Sequence, residues 1–151
     1  MKSKLHALVG TIAIVCIATF WTSSLICELF LSTESVVAVK NAILMAMWLL
    51  IPVMAATGAS GFALGRGRHG RLIEAKTRRM KIIAANGCLV LLPSAVTLAS
   101  MANQGRFDAI FHTVQAVELV AGALNLVLLA LNMRDGLRLS GPPMPARRVH
   151  S

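Results

Sequence analysis

LHALVGTIAIVCIATFWTSSLICELFL, residues 5–31, carries one ionised side chain, Glu28, close to its end. At about 1.5 Å of rise per residue, a helix of this length exceeds the roughly 30 Å of bilayer hydrocarbon. The run is too long for the apolar region of a signal peptide, about 7–15 residues, and no convincing small-residue cleavage site closes it. Met1-Lys2-Ser3-Lys4 ahead of it therefore reads as the basic flank of a retained first span.

Three further apolar runs follow, at about 36–64, 82–101 and 108–133. Together the four use most of residues 1–140 as one transmembrane domain, leaving 141–151 as a disordered cytoplasmic tail rich in proline. The chain is 56% hydrophobic and 14% charged, more apolar surface than a soluble domain of 151 residues can hide. No length remains for a separate soluble catalytic unit.

Charge segregation gives the orientation. Of the 15 basic residues, all but Lys40 and Arg106 lie at the N-terminus, between runs two and three, or after run four. The positive-inside rule then places both termini and the central loop in the cytoplasm, and the two short turns outside. The net charge of +9 is explained by this flanking position, so no nucleic acid is expected as a partner. Anionic lipids are, with Arg66, Arg68, Arg71, Arg78, Arg79 and Lys81 as headgroup contacts. A membrane-protein partner or a second copy of the chain remains open.

Local signals refine the spans. Ser32-Thr33-Glu34-Ser35 supplies helix caps before Val36, and Asp108 caps the fourth span. Pro52 is expected to kink span two, and Pro93 falls within span three. Residues 72–80 could form a short helix on the headgroups.

Within span four, Asp108, Gln115, Glu118, Gly122, Asn125 and Asn132 recur at intervals of seven, three, four, three and seven. Such a seam stays on one helix face, and polar side chains cannot face hydrocarbon cheaply, so it should line the bundle interior. Glu28, Lys40, His112 and Glu118 share a depth in the outer half of the membrane. An unpaired ammonium there costs several kcal/mol, so Lys40 should pair with Glu28 or Glu118. These four residues are the ligand- or proton-binding candidates.

Several chemistries lack support. Cys16, Cys27 and Cys88 form no CxxC pair, and no metal motif is present. A haem b needs paired axial ligands on facing spans, whereas His6 and His112 fall near opposite faces. Arg78-Arg79 followed by Asn86 and Pro93 has the outline of the glutathione-dependent four-span enzymes of eicosanoid metabolism, but the acidic residue between asparagine and proline is missing. No catalytic residue and no cofactor is expected.

The segments Ile83-Ala84-Ala85-Asn86-Gly87 and Leu131-Asn132-Met133-Arg134-Asp135-Gly136-Leu137 look like signatures. By them the whole chain resembles a family of small four-helix inner-membrane proteins of bacteria to which no activity is attached. The expectation is an all-α, four-helix transmembrane bundle, up-down-up-down, in the bacterial inner membrane. It would be non-enzymatic, acting through a polar intramembrane site or within a membrane complex. A b-type haem or quinone-linked redox protein and a small proton-coupled transporter are the alternatives.

Overall fold

A computed structural model describes the backbone of residues 2–65 and 70–140 and the side chains of 7–63 and 70–137. The expectations for Arg66, Arg68, His6 as a ligand and the 141–151 tail lie outside the described residues. All regular structure among those residues is helical: α1 (Lys2–Phe30), α2 (Thr33–Gly65), α3 (Arg71–Asn86), a π-helical turn (Gly87–Leu91), α4 (Leu92–Asn103) and α5 (Ala109–Ser140). Four stretches are long and apolar enough to cross a membrane: Ala7–Phe30, Thr33–Ala63, Arg71–Asn103 and Ala109–Leu137.

The third of these begins earlier than the sequence suggests. Residues 72–80 are its first turns and not a separate headgroup helix. Nothing between Met80 and Ile83 breaks a helix, so the backbone continues from its start after Gly70, whose φ of 147° only glycine tolerates. The fourth runs on past residue 133 to Ser140, with no proline before Pro142 to stop it.

Pro93 acts on the turn before it. A proline ring crowds the carbonyl four residues back, and here the ladder widens to the π register, with Leu92 N–H donating to Gly87 O. Pro52, by contrast, lies inside an uninterrupted α2. The link from α4 to α5 is a Schellman turn: Gly105 takes φ 67°, Arg106 N–H donates to Met101 O, and Gly105 N–H to Ala102 O. Asp108 then caps α5, its Oδ1 accepting the N–H groups of Ile110 at 3.0 Å and Phe111 at 3.1 Å.

Around the bundle, α1 packs on α2 and α5, and α4 packs on α2 and α5, while α3 lies on α5 and scarcely meets α2. The diagonal pairs, α1 with α4 and α2 with α5, have no close backbone approach among the described residues. One apolar cluster joins Cys27, Val36, Leu98, Met101 and Phe111; another joins Ile17, Ile83 and Leu129. Large apolar side chains such as Phe30, Met45, Trp48 (82% exposed) and Leu89 face outward. Ser24, Lys40, Thr57, Gln115, Asn125, Asn132 and Asp135 are buried. This arrangement, apolar outside and polar inside, suits hydrocarbon as the surrounding medium.

Candidate functional site

The four ionisable candidates separate into two pairs. Lys40, in the second turn of α2, is 2% exposed. Its Nζ donates to Glu118 Oε2 at 2.6 Å and to Ser24 Oγ at 3.1 Å. Because α2 and α5 are diagonal partners, this ion pair crosses the bundle interior. Of the two carboxylates the sequence offered to Lys40, Glu118 is the one engaged. Two charges withdrawn from water carry a large desolvation cost, offset only by close geometry and added hydrogen bonds. The 2.6 Å contact and the Ser24 hydroxyl supply both.

Glu28 meets His112 instead, Oε1 to Nδ1 at 2.8 Å, with the imidazole 59% exposed. This second pair ties the end of α1 to the start of α5 at the periphery. Nearby, Asn41 and Asn103 exchange amide hydrogen bonds at 2.9 and 2.8 Å, fastening α2 to α4. Asp108, the first residue of the sequence seam, is exposed and belongs to the helix cap. The Phe111 N–H, then the Arg106 guanidinium at 3.0 Å, hold its carboxyl below the usual carboxylate range.

Glu118 also borders a cavity of about 70 Å³ between α1, α2, the π turn, α4 and α5. Apart from Glu118, Ser24 and Trp21, its walls are apolar, with Phe20, Ile43, Met47 and Leu91 among them. Trp21 is placed by two features of α5. Its Nε1–H donates to Leu119 O at 2.8 Å, and Gly122 leaves room for the ring. A Cβ at Gly122 would stand 2.9 Å from Trp21 Cδ1.

The rest of the seam does turn inward. Asn125 Oδ1 accepts from Asn86 Nδ2 at 2.9 Å, and the same amide donates to Ala121 O at 2.8 Å. Asn132 Oδ1 lies 3.5 Å from an Arg79 nitrogen, and its own amide nitrogen is buried without a partner among the described residues. Gln115 is 2% exposed, and neither of its amide atoms has a partner among the described residues. A buried amide left so costs about 1–3 kcal/mol, which an internal water would relieve.

Several residues that build this interior escaped the sequence reading. Asp135, 1% exposed, accepts from Arg79 at 2.6 Å, so Arg79 turns into the α3–α5 interface. The interval of three from Asn132 continues the seam to Asp135 and was the available signal. Ser24, Trp21 and Asn86 gave no comparable signal, since isolated polar or aromatic residues in a span are common. Arg71, Arg78 and Lys81 are exposed on α3. The three cysteines are free, and no group of three or more potential metal ligands occurs among the described residues. Comparison with protein-family models, curated proteins and solved structures finds no match to this chain.

Proposed function

We propose that the chain is a non-enzymatic integral membrane protein that works through proton exchange at the Lys40–Glu118–Ser24 site. It would cross the bacterial inner membrane four times, up-down-up-down, with both termini cytoplasmic and Arg71, Arg78 and Lys81 on anionic headgroups. The observation that carries this reading is a fully buried lysine paired at 2.6 Å with a carboxylate on the wall of a cavity. Ionisable side chains inside a membrane are costly and are retained chiefly where they handle charge. A buried pair adds little stability over an apolar pair of similar volume, so packing alone gives weak reason to keep it.

On this reading, the cavity beside Glu118 is where a proton reaches the carboxylate. The cavity's volume of about 70 Å³ exceeds the roughly 10–15 Å³ that one water needs, and Glu118 and Ser24 are the wall groups that would hold a water there. A proton delivered to the Glu118 carboxylate cancels its charge and leaves the Lys40 ammonium with Ser24 alone. An ammonium stranded in the interior is unfavourable by several kcal/mol. Proton uptake is therefore coupled to a change in how α1 and α2 together sit against α4 and α5. The transporter alternative shares this site; the redox alternative draws no support from it, because Lys40 and His112 are each engaged by a carboxylate.

The test uses proteoliposomes loaded with a pH-sensitive dye and driven by a potassium diffusion potential. Wild-type protein should acidify the lumen faster than a Lys40→Met/Glu118→Leu variant of equal thermal stability. Equal rates would refute the proposal.

A further inference from the structure

We infer that the end of the bundle where α3 begins and α5 ends holds a discrete site for the phosphate of an anionic phospholipid, built by Arg134, Lys76 and Arg79 around Asp135. It goes beyond the proton-exchange reading and does not depend on it.

The argument starts from a charge imbalance held in a fixed geometry. Asp135 Oδ2 takes Arg79 at 2.6 Å, and its Oδ1 takes Arg134 through Nε at 3.4 Å and a terminal nitrogen at 3.5 Å. Lys76 joins them on the same side: its Nζ lies 3.3 Å from where a Cβ at Gly136 would be, so the missing side chain makes room for the ammonium. Three cations thus surround one buried carboxylate. The other acid in this part of the chain, Glu74, is exposed in the first turn of α3.

One carboxylate compensates one cation. At the boundary of the hydrocarbon, where water screens poorly, the remaining positive charge calls for an anion. The donors for it are in place. A guanidinium has five N–H groups, and Asp135 occupies only those of Arg79 and Arg134 that face it. The shared carboxylate also fixes two like-charged groups side by side, so a second bridging anion finds them ordered. Arg134, 55% exposed, is the accessible arm, while Arg79 is held deeper at 21%. A phosphodiester oxygen pair suits such a fork. A headgroup with its own quaternary ammonium would leave the excess charge uncompensated, so the site favours a net-anionic lipid.

Lys81 supplies the control. It follows Arg79 by two residues, which at about 100° per residue puts it on the other side of α3. It is exposed and can act only through the screened field.

The experiment measures lipid binding to the purified full chain in neutral detergent by native mass spectrometry and thermal shift. Phosphatidylglycerol, phosphatidylcholine and inorganic phosphate are titrated separately. Phosphatidylglycerol should bind and raise the unfolding temperature; the other two should not at matched concentration. Arg134→Gln should weaken phosphatidylglycerol binding about tenfold and Lys76→Gln about fivefold, as one charge-assisted contact and one half-buried ammonium at the headgroup level imply. Lys81→Gln, which removes one exposed charge of the general basic flank, should weaken it clearly less than Arg134→Gln, and the remote Arg106→Gln should change it less than about twofold. Equal losses in Arg134→Gln and Lys81→Gln would show a diffuse basic belt and overturn the site. An equal response to phosphatidylcholine, an equal response to inorganic phosphate, or no binding at all would each overturn it too. Unliganded melting of each variant separates lost binding from lost fold.

Discussion

Replacing Lys40 and Glu118 singly and together should give a strongly coupled cycle. Removing one partner of a buried ion pair strands the other charge, at about 3–5 kcal/mol. The structure orders the two single variants. Glu118→Leu leaves an ammonium that is 2% exposed with only Ser24 Oγ, so it belongs near the upper figure. Lys40→Met leaves a carboxylate 12% exposed at the wall of a cavity able to hold water, so it belongs near the lower one. In a protein of this size 1 kcal/mol moves the midpoint by about 2–4 °C, so the single variants should melt roughly 6–20 °C below wild type. Lys40→Met/Glu118→Leu removes both charges and should recover most of that loss. Thermal unfolding in detergent, followed by tryptophan emission, reads all four corners. If the single effects simply add, with coupling below about 0.5 kcal/mol, the pair does not hold the interior and the reasoning fails.

Gly122→Ala should force the Trp21 ring away from α5 and break its bond to Leu119 O, a loss of about 1–3 kcal/mol from overpacking, with Trp21 emission shifted to the red in a Trp48→Phe background; unchanged emission and stability would show that the ring has slack. Asp108, with its folded pKa below the ordinary value near 3.9, stabilises the fold above that value and loses this contribution as pH falls through the folded value. Asp108→Ala should therefore melt below wild type at pH 7 and converge with it in acid well below pH 4; a constant gap down to the lowest pH would point to a cause other than the charge. In a cysteine-free background, a membrane-impermeant maleimide should reach Ser35→Cys in spheroplasts and Ser151→Cys only after permeabilisation, and labelling of both from one side would sink the four-span topology. Joining Asn41→Cys to Asn103→Cys with a short bismaleimide, across α2 and α4, should suppress proton flux in liposomes; full flux in the linked protein would separate proton exchange from helix movement.

The fold was legible because the lipid environment constrains sequence so tightly. Four long apolar runs and a one-sided basic distribution leave few architectures, and the helices appear near the expected places. What failed was local. The 72–80 segment looked separate because its charge suggested a different environment, yet charge does not interrupt a helix, and the backbone continues from Arg71. The site was partly legible. Depth alone grouped Glu28, Lys40, His112 and Glu118, but depth fixes height along the bundle and not direction around it. Rotation about each helix axis sends Lys40 to Glu118 across the interior and His112 to Glu28 at the rim. Gln115, Asn125 and Asn132 are buried on one face of α5, where a heptad rhythm in the sequence does encode direction. It failed at Asp108, where the helix begins and the carboxylate is taken by backbone N–H groups.

The packing order gives the central ion pair a particular leverage. The α1–α2 hairpin is tightly packed on itself, and α3, the π turn, α4 and α5 form the other unit; the two meet along α1 with α5 and α2 with α4. The cavity lies in that seam, since its wall takes residues from both units. Lys40 belongs to one unit and Glu118 to the other, and Trp21 bonded to Leu119 O, Asn41 bonded to Asn103 and Glu28 paired with His112 are further polar links between them. Apolar contacts resist separation poorly between helices in lipid, because the tails are as apolar as the side chains they replace. Polar links therefore hold a larger share of this seam than they would in a soluble bundle. Neutralising Glu118 removes the strongest of them and leaves an unpaired ammonium in the same place, so the interior charge itself favours parting the two units. On the proposed reading, the arrangement that makes the pair costly to bury is what lets one proton move the hairpin.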